Sequence, residues 1–283
     1  MPMRAARAGP SAPRAFPGRL AAGLGGAILG IVYPPVCAGC GAETGTPETL
    51  CSACWGDLHL HAGPGCRACG RDVAGLAPGE GFVCDDCVRR PPPWTAGAAV
   101  FAYEGTGRRL VLALKHGDRL DSVPMLARWM RRAGAPLVAE AELIVPVPLH
   151  WTRLVRRRFN QSAELARALA RLADKRPGLR PDVLRRIRRT PSQEGRSREE
   201  RAANVAGALV VPRARAGAVD GRRVLLVDDV MTTGATLDAA ARALKAAGAA
   251  RVDVLVLALV GGSLRSYLDA PPADGTTDEA RET

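Results

Sequence analysis

Read for the spacing of its apolar positions, the chain becomes regular near residue 96. Ala98 to Tyr103 reads as a short strand, and from Gly107 to His116 apolar positions recur at helical spacing. Val123 to Ala133 predicts a second helix. Leu143 to Val147 is a β-rich run broken by Pro146 and Pro148, and an amphipathic helix follows from Gln161 to Ala173. Arg223 to Val227 predicts a buried strand, Thr236 to Ala247 a helix, and Arg251 to Val260 another strand. Strand, helix, strand predicts right-handed crossovers and a parallel sheet, so the expected class is α/β. The segment 262–283 is polar and acidic, and disorder is expected there.

Upstream the pattern is set by cysteine. All eight cysteines form C-x-x-C pairs: Cys37/Cys40, Cys51/Cys54, Cys66/Cys69 and Cys84/Cys87. A two-residue spacer lets both thiolates point at one tetrahedral Zn²⁺. Gly41 and Gly70 directly follow their pairs and supply the permissive backbone of a knuckle turn. Two knuckles per metal make a zinc ribbon, so residues 34–93 predict two ribbons in tandem, holding two structural Zn²⁺. An even cysteine count also fits a secreted disulfide framework. Close C-x-x-C pairs suit metals better, and reduced thiolates imply the cytoplasm. His59 and His61 lie between the ribbons, where they read as linker residues with substitute ligands as the alternative, and Pro91-Pro92-Pro93 closes the module as a stiff hinge.

Residues 1–33 hold arginines followed by the uncharged apolar run Leu20 to Tyr33, which has the look of a signal peptide. The reduced cysteines argue against export, so this segment reads as an extension with a short helix ending at Pro34-Pro35. No apolar run is long enough to span a membrane.

Forty basic against 28 acidic side chains give a net charge of +12, which invites a nucleic-acid reading. The 47% hydrophobic content excludes a wholly disordered polycation. The charge is uneven. Arg153 to Arg201 holds sixteen basic and six acidic side chains, a net +10, whereas Asp269 to Thr283 holds five acids against Arg281. Aromatic residues at 4% weigh against a single-strand binder built on stacking platforms. Only Lys115, Lys175 and Lys245 are lysines, so Lys115 marks a place where a compact point charge is wanted.

The strongest signal runs from Val224 through Val227, Asp228, Asp229, Val230, Met231, Thr232, Thr233, Gly234 and Ala235 to Thr236. An apolar strand delivers two carboxylates at its C-terminal end, and a hydroxyl- and glycine-rich turn then opens a helix. Ligands of open α/β sheets bind at that edge. The turn offers N–H groups and a positive helix end to a phosphate. Paired carboxylates beside such a cradle suit ribose hydroxyls and an indirectly held Mg²⁺.

This segment resembles the motif of type I phosphoribosyltransferases that binds α-D-ribosyl 1-pyrophosphate 5-phosphate (PRPP). Three further segments resemble the ComF family within that superfamily: Tyr103-Glu104-Gly105 with Lys115-His116-Gly117; Pro146-Val147-Pro148-Leu149-His150 with Arg153 and Phe159-Asn160-Gln161-Ser162; and Thr190-Pro191-Ser192-Gln193 with Ser197, Arg198, Glu200, Arg201 and Asn204. Arg158 and Arg196 depart from the family pattern.

The resemblance implies a type I phosphoribosyltransferase fold at residues 94–261 behind the small zinc-ribbon domain. Asp228 and Asp229 would hold the ribose and Mg²⁺. Met231, Thr232, Thr233, Gly234, Ala235 and Thr236 would hold the 5-phosphate. Pro146, Val147, Pro148, Leu149, His150 and Arg153 would face the pyrophosphate. Arg198 and Arg201 would close as a mobile loop, and Lys115 joins the catalytic set. The reaction implied is phosphoribosyl transfer to an unassigned acceptor, linked to incoming single-stranded DNA in natural transformation. Its partners there would be PRPP, single-stranded DNA, and competence or recombination proteins. The alternative is a non-catalytic, PRPP-responsive adaptor that binds single-stranded DNA. A purine-type amidophosphoribosyltransferase would need a glutaminase half where this chain has cysteine pairs.

Overall fold

The computed structural model describes residues 34–61, 65–72, 82–116, 119–149, 159–188, 205 and 207–261. The readings made above for residues 1–33, for His150 to Arg158, for Thr190 to Asn204 and for 262–283 lie outside them.

The elements run as follows. Two short helices belong to the cysteine region, α1 (Ser52–Gly56) and α2 (Asp85–Arg89). Then come β1 (Gly97–Ala102), α3 (Gly105–His116), α4 (Val123–Ala133), α5 (Ala135–Glu140) and β2 (Leu143–Pro146). After α6 (Gln161–Leu172) come the two-residue strands β3 (Gly178–Leu179), β4 (Arg185–Arg186) and β5 (Leu209–Val210). The chain closes with α7 (Arg213–Ala216), β6 (Arg223–Met231), α8 (Ala235–Ala246) and β7 (Arg251–Leu259).

Five strands form one sheet in the order β1-β7-β6-β2-β3, every pair parallel. β7 is flanked on both sides, and its residues from Val252 to Leu259 are all buried. That is why it reads as an apolar run rather than an alternation, interrupted by Asp253 alone, which pairs with Arg251. β4 and β5 pair antiparallel and flank the segment expected to form the mobile loop.

Two expectations need correction. The strand read as Arg223–Val227 continues to Met231, because β7 pairs with it past both acids, through Asp228↔Val256 and Met231↔Leu259. The acids still emerge from the sheet on their other side, where β2 stops at Pro146 opposite Val227. Helix α5 was not anticipated. Its Pro136 reads as a break, but it sits in the first turn, where no N–H is required.

The sheet has a core on each face, and one cysteine cluster belongs to each. On one face α3 (Leu110, Val111, Leu114), α4 (Leu126, Met130) and α6 (Leu165, Leu169) cover Leu225, Val227 and Leu255 together with Cys37, Cys54 and Leu58. On the other, α8 (Leu237, Ala240, Ala241, Leu244) covers Val224, Leu226 and Val254 together with Cys66, Cys69, Cys84 and Trp94. The helical spacing of the α8 residues is the amphipathic stripe that burial requires.

Candidate functional site

At each cluster, one ligand atom from every cysteine lies within 4.8 Å of the others: Cys37, Cys40, Cys51 and Cys54 in the first, and Cys66, Cys69, Cys84 and Cys87 in the second. The Cys40–Cys51 sulfurs are 3.7 Å apart and the Cys69–Cys84 sulfurs 3.8 Å. A tetrahedron with Zn–S bonds of ~2.3 Å has edges of ~3.8 Å, so both sets fit the metal. All eight thiols are free, which corrects nothing in the zinc reading and rejects the disulfide framework.

Backbone N–H groups support the sulfurs, with Cys51 N 3.2 Å from Cys37 Sγ and Cys84 N 3.3 Å from Cys66 Sγ. Burial pushes the Cys37 thiol up, but N–H groups of Cys51, Cys40 and Gly39 outweigh it and bring it to about 6. Its partner Cys54 is pushed up to about 12, chiefly by burial. Four thiolates this close need a cation among them. The knuckle glycines Gly41 and Gly70 have φ of +79° and +76°. His59 and His61 stand apart from both cysteine groups, paired with Glu104 at 2.5 Å and Asp72 at 3.0 Å.

The carboxylate pair sits where β6 outruns β2. Asp228 is 9% exposed, and its Oδ1 accepts from Ser162 Oγ at 2.8 Å and from the Asp229 N–H at 2.9 Å. Burial first, then the neighbouring Asp229 charge, push the Asp228 carboxyl up to about 7. Asp229 carries the ion pair with Lys115, Nζ to Oδ2 3.3 Å, both side chains mostly buried. A buried pair of acids with a single ammonium beside it is under-compensated. It favours hydroxyl donors or a further cation.

Asn160 organises the adjoining loop. Its Oδ1 caps α6 by accepting from Ser162 N at 3.1 Å, and its Nδ2 donates to Val147 O at 3.0 Å. The cap orients Ser162 toward Asp228, while the amide ties down the chain where it leaves β2. Val147 is buried, and Pro148 and Leu149 are half-buried beyond it. His150, Arg153, Arg198 and Arg201 lie outside the described residues, so their readings rest on the sequence.

After Met231 the chain turns through Thr232, Thr233 and Gly234 into α8, with Ala235 and Thr236 in its first turn. Gly234 has φ +78°, a left-handed conformation that a side chain would strain. Thr233 Oγ1 is buried with no hydrogen-bond partner, which leaves a polar atom awaiting one at the helix N-terminus. Trp94 packs 3.4 Å from the Cβ position of Gly234, and its indole Nε1 donates to Ala68 O at 2.6 Å. The Cys66–Cys69 knuckle of the second cluster therefore buttresses the turn. A cavity of about 1020 Å³ opens between this cluster and α8, lined by Trp94, Met231, Thr233 and Gly234; Asp228, Asp229 and Lys115 do not line it.

The structure thus brings Lys115, Asp228 and Asp229 together at the sheet edge, with Met231 closing the same strand and Thr232 to Thr236 following in the turn and the first turn of α8. Two residues of the site have roles that local spacing does not assign: Ser162, which donates to Asp228, and Trp94, which packs on the turn. A hydroxyl at the second position of a helix is the signal that points to Ser162 once the strand order is known.

Comparison with known proteins agrees with this layout. A Double zinc ribbon domain matches residues 28–90, and a Phosphoribosyl transferase domain matches residues 159–277. Competence protein F of Haemophilus influenzae is 29% identical over 214 residues, 74% of this chain and 90% of that protein. The DNA utilization protein YhgH of Salmonella typhi is 34% identical over 234 residues, 75% of this chain and 97% of that protein. An adenine phosphoribosyltransferase of Rhodococcus jostii is 48% identical over 60 residues, 20% of this chain and 33% of that protein. No helix among the described residues is long and apolar enough to cross a membrane. With a zinc-ribbon pair ahead of a phosphoribosyl transferase domain, and with that identity sustained over nearly the whole of its relatives, the chain belongs to the family of competence protein F and the DNA utilization protein YhgH.

Proposed function

We propose that the chain binds Mg²⁺–PRPP at the edge formed by β2 and β6 and transfers the phosphoribosyl group to an acceptor, releasing pyrophosphate. The observation that carries this reading is the sequence of parts along one strand and turn. The buried pair Asp228–Asp229, under-compensated by Lys115, leads directly to a left-handed Gly234 and a partnerless Thr233 hydroxyl at a helix N-terminus. Carboxylates there accept from the ribose 2- and 3-hydroxyls, and the turn's N–H groups and threonine hydroxyls receive the 5-phosphate.

Bound Mg²⁺ supplies positive charge to the leaving pyrophosphate. Lys115 neutralises Asp229 while the site is empty. The stretch from Pro146 to His150, with Arg153, faces the pyrophosphate. Arg198 and Arg201 exclude water from the reactive sugar when the loop closes. The relatives' names, competence protein F and DNA utilization protein YhgH, support a role for the reaction in handling DNA.

The test is calorimetric titration of Mg²⁺–PRPP into wild type and the Asp228→Ala/Asp229→Ala variant, with pyrophosphate release followed in parallel. Binding by wild type alone supports the reading. Equal binding by both, or none by wild type, overturns it.

The second reading, a PRPP-responsive adaptor for single-stranded DNA without catalysis, is favoured by the net +10 between Arg153 and Arg201. Binding of Mg²⁺–PRPP without pyrophosphate release, together with a steeply salt-dependent DNA affinity that Mg²⁺–PRPP alters, would select it.

A further inference from the structure

Helix α3 connects the first cysteine cluster to the carboxylate pair. Its N-terminus is held by Asp57, which follows Cys54 by three positions. The Asp57 carboxylate accepts from Thr106 Oγ1 at 2.9 Å, and a Cβ on Gly105 would lie 2.8 Å from both its oxygens. An anion in that place satisfies the free N–H groups and complements the positive end of the helix. The hydrogen bond from the Thr106 hydroxyl first, and then the Arg109 guanidinium, hold the Asp57 carboxyl below its ordinary range.

Arg109, one turn further on, closes the link. Its Nη2 donates to Asp57 Oδ2 at 3.0 Å and to Thr106 Oγ1 at 2.5 Å, and reaches Cys54 Sγ at 3.7 Å. One guanidinium nitrogen therefore touches a thiolate of the proposed zinc centre, the capping acid and the helix it caps. From that end α3 runs about 15 Å as a rigid rod. Its apolar side, Leu110, Val111 and Leu114, is locked into the same core as Cys37, Cys54 and Leu58. At the far end stands Lys115, paired with Asp229.

We propose that Arg109 and Asp57 are positioning residues through which the first zinc centre sets the placement of Lys115 against Asp229. Losing that zinc, or the Arg109 contact, lets α3 shift and releases the ammonium from the carboxylate. The second zinc centre is packed on the opposite face of the sheet and leaves this pair alone. A further consequence, weaker PRPP binding, rests on the function proposed above.

The chain's three lysines make the test direct, because Lys175 and Lys245 serve as internal controls. Full-length zinc-loaded protein is labelled with acetic anhydride, and the rate at each lysine is read by mass spectrometry. Arg109→Ala and Cys40→Ser should raise the Lys115 rate about fivefold or more, the scale of coupling between linked sites. Lys175 and Lys245 should not change, Arg109→Lys should recover part of the protection, and Cys87→Ser should leave Lys115 protected. An unchanged Lys115 rate in both Arg109→Ala and Cys40→Ser overturns the proposal, and so does an equal rise at all three lysines. Calorimetry on the same proteins separates the two ideas. Released Lys115 with weakened Mg²⁺–PRPP binding supports both. Released Lys115 in a protein whose wild type binds no PRPP supports the latch and overturns the function.

Discussion

Lys115 Nζ lies 3.3 Å from Asp229 Oδ2, and both side chains are largely withdrawn from water. This pair joins the end of α3 to the end of β6 and sets one ammonium beside two adjacent acids. Its removal should be felt most when both acids are charged. Lys115→Met is expected to destabilise the ligand-free protein by about 3 kcal/mol at pH 8, the low end for breaking a buried pair, and by less at pH 5. Urea unfolding at the two pH values measures the difference.

Asp228 gives the opposite expectation. Its carboxyl is raised from an ordinary 3.8 to about 7, by burial first and by Asp229 second. A raised folded value means the neutral form is favoured in the fold. The stabilisation it brings is complete below the unfolded value and is lost as pH rises through the folded one. Asp228→Asn keeps an oxygen to accept from Ser162 and carries no charge. It should therefore be more stable than wild type above pH 7, by about 1–3 kcal/mol, with the gap closing toward pH 4. Denaturation midpoints across about pH 3.5–8.5, the range that brackets the shift, would show this trend, and the same variant should lose Mg²⁺–PRPP binding.

Asn160 is asked to donate and to accept, so its acid analogue tests the donor alone. Asn160→Asp retains the helix cap but faces the Val147 carbonyl with a carboxylate oxygen in place of an N–H. A loss of about 1 kcal/mol in stability is expected, and Mg²⁺–PRPP affinity should fall more than stability alone explains. Asn160→Ala, which also removes the cap, should cost more.

Trp94 couples the Cys66–Cys69 knuckle to the phosphate-type turn. Trp94→Phe leaves Ala68 O, now bonded at 2.6 Å, without its donor, and thins the packing against Gly234. A stability loss of about 1–2 kcal/mol is expected. Zinc content should stay at two per chain by elemental analysis, because none of the ligands in either cluster is touched. A count near zero in wild type would refute the zinc centres themselves.

Much of this was legible without coordinates because it is local. The four C-x-x-C pairs place their own thiols, the Thr232-Thr233-Gly234 turn carries its own conformational demand, and helices such as Val123–Ala133 show their buried stripe in spacing alone. Lys115 stood out through its rarity among arginines. Its partner did not, since nothing in the spacing says which acid a distant ammonium meets.

What the order of residues decided, then, is the inventory: two four-cysteine metal sites, a parallel sheet, and an acid pair running into a phosphate-type turn. Backbone propensity and short-range spacing suffice for each. Which groups share a site depended on strand order. Only the sequence β1-β7-β6-β2-β3 brings Ser162 against Asp228 across 66 positions and sets Lys115 beside Asp229. The same packing divides the two cysteine clusters between opposite faces of the sheet, so that one grips α3 through Arg109 and the other braces Gly234 through Trp94. Burial is the physical reason. An acid's charge state and a hydroxyl's direction follow from what surrounds them, and those surroundings exist only once the chain has closed.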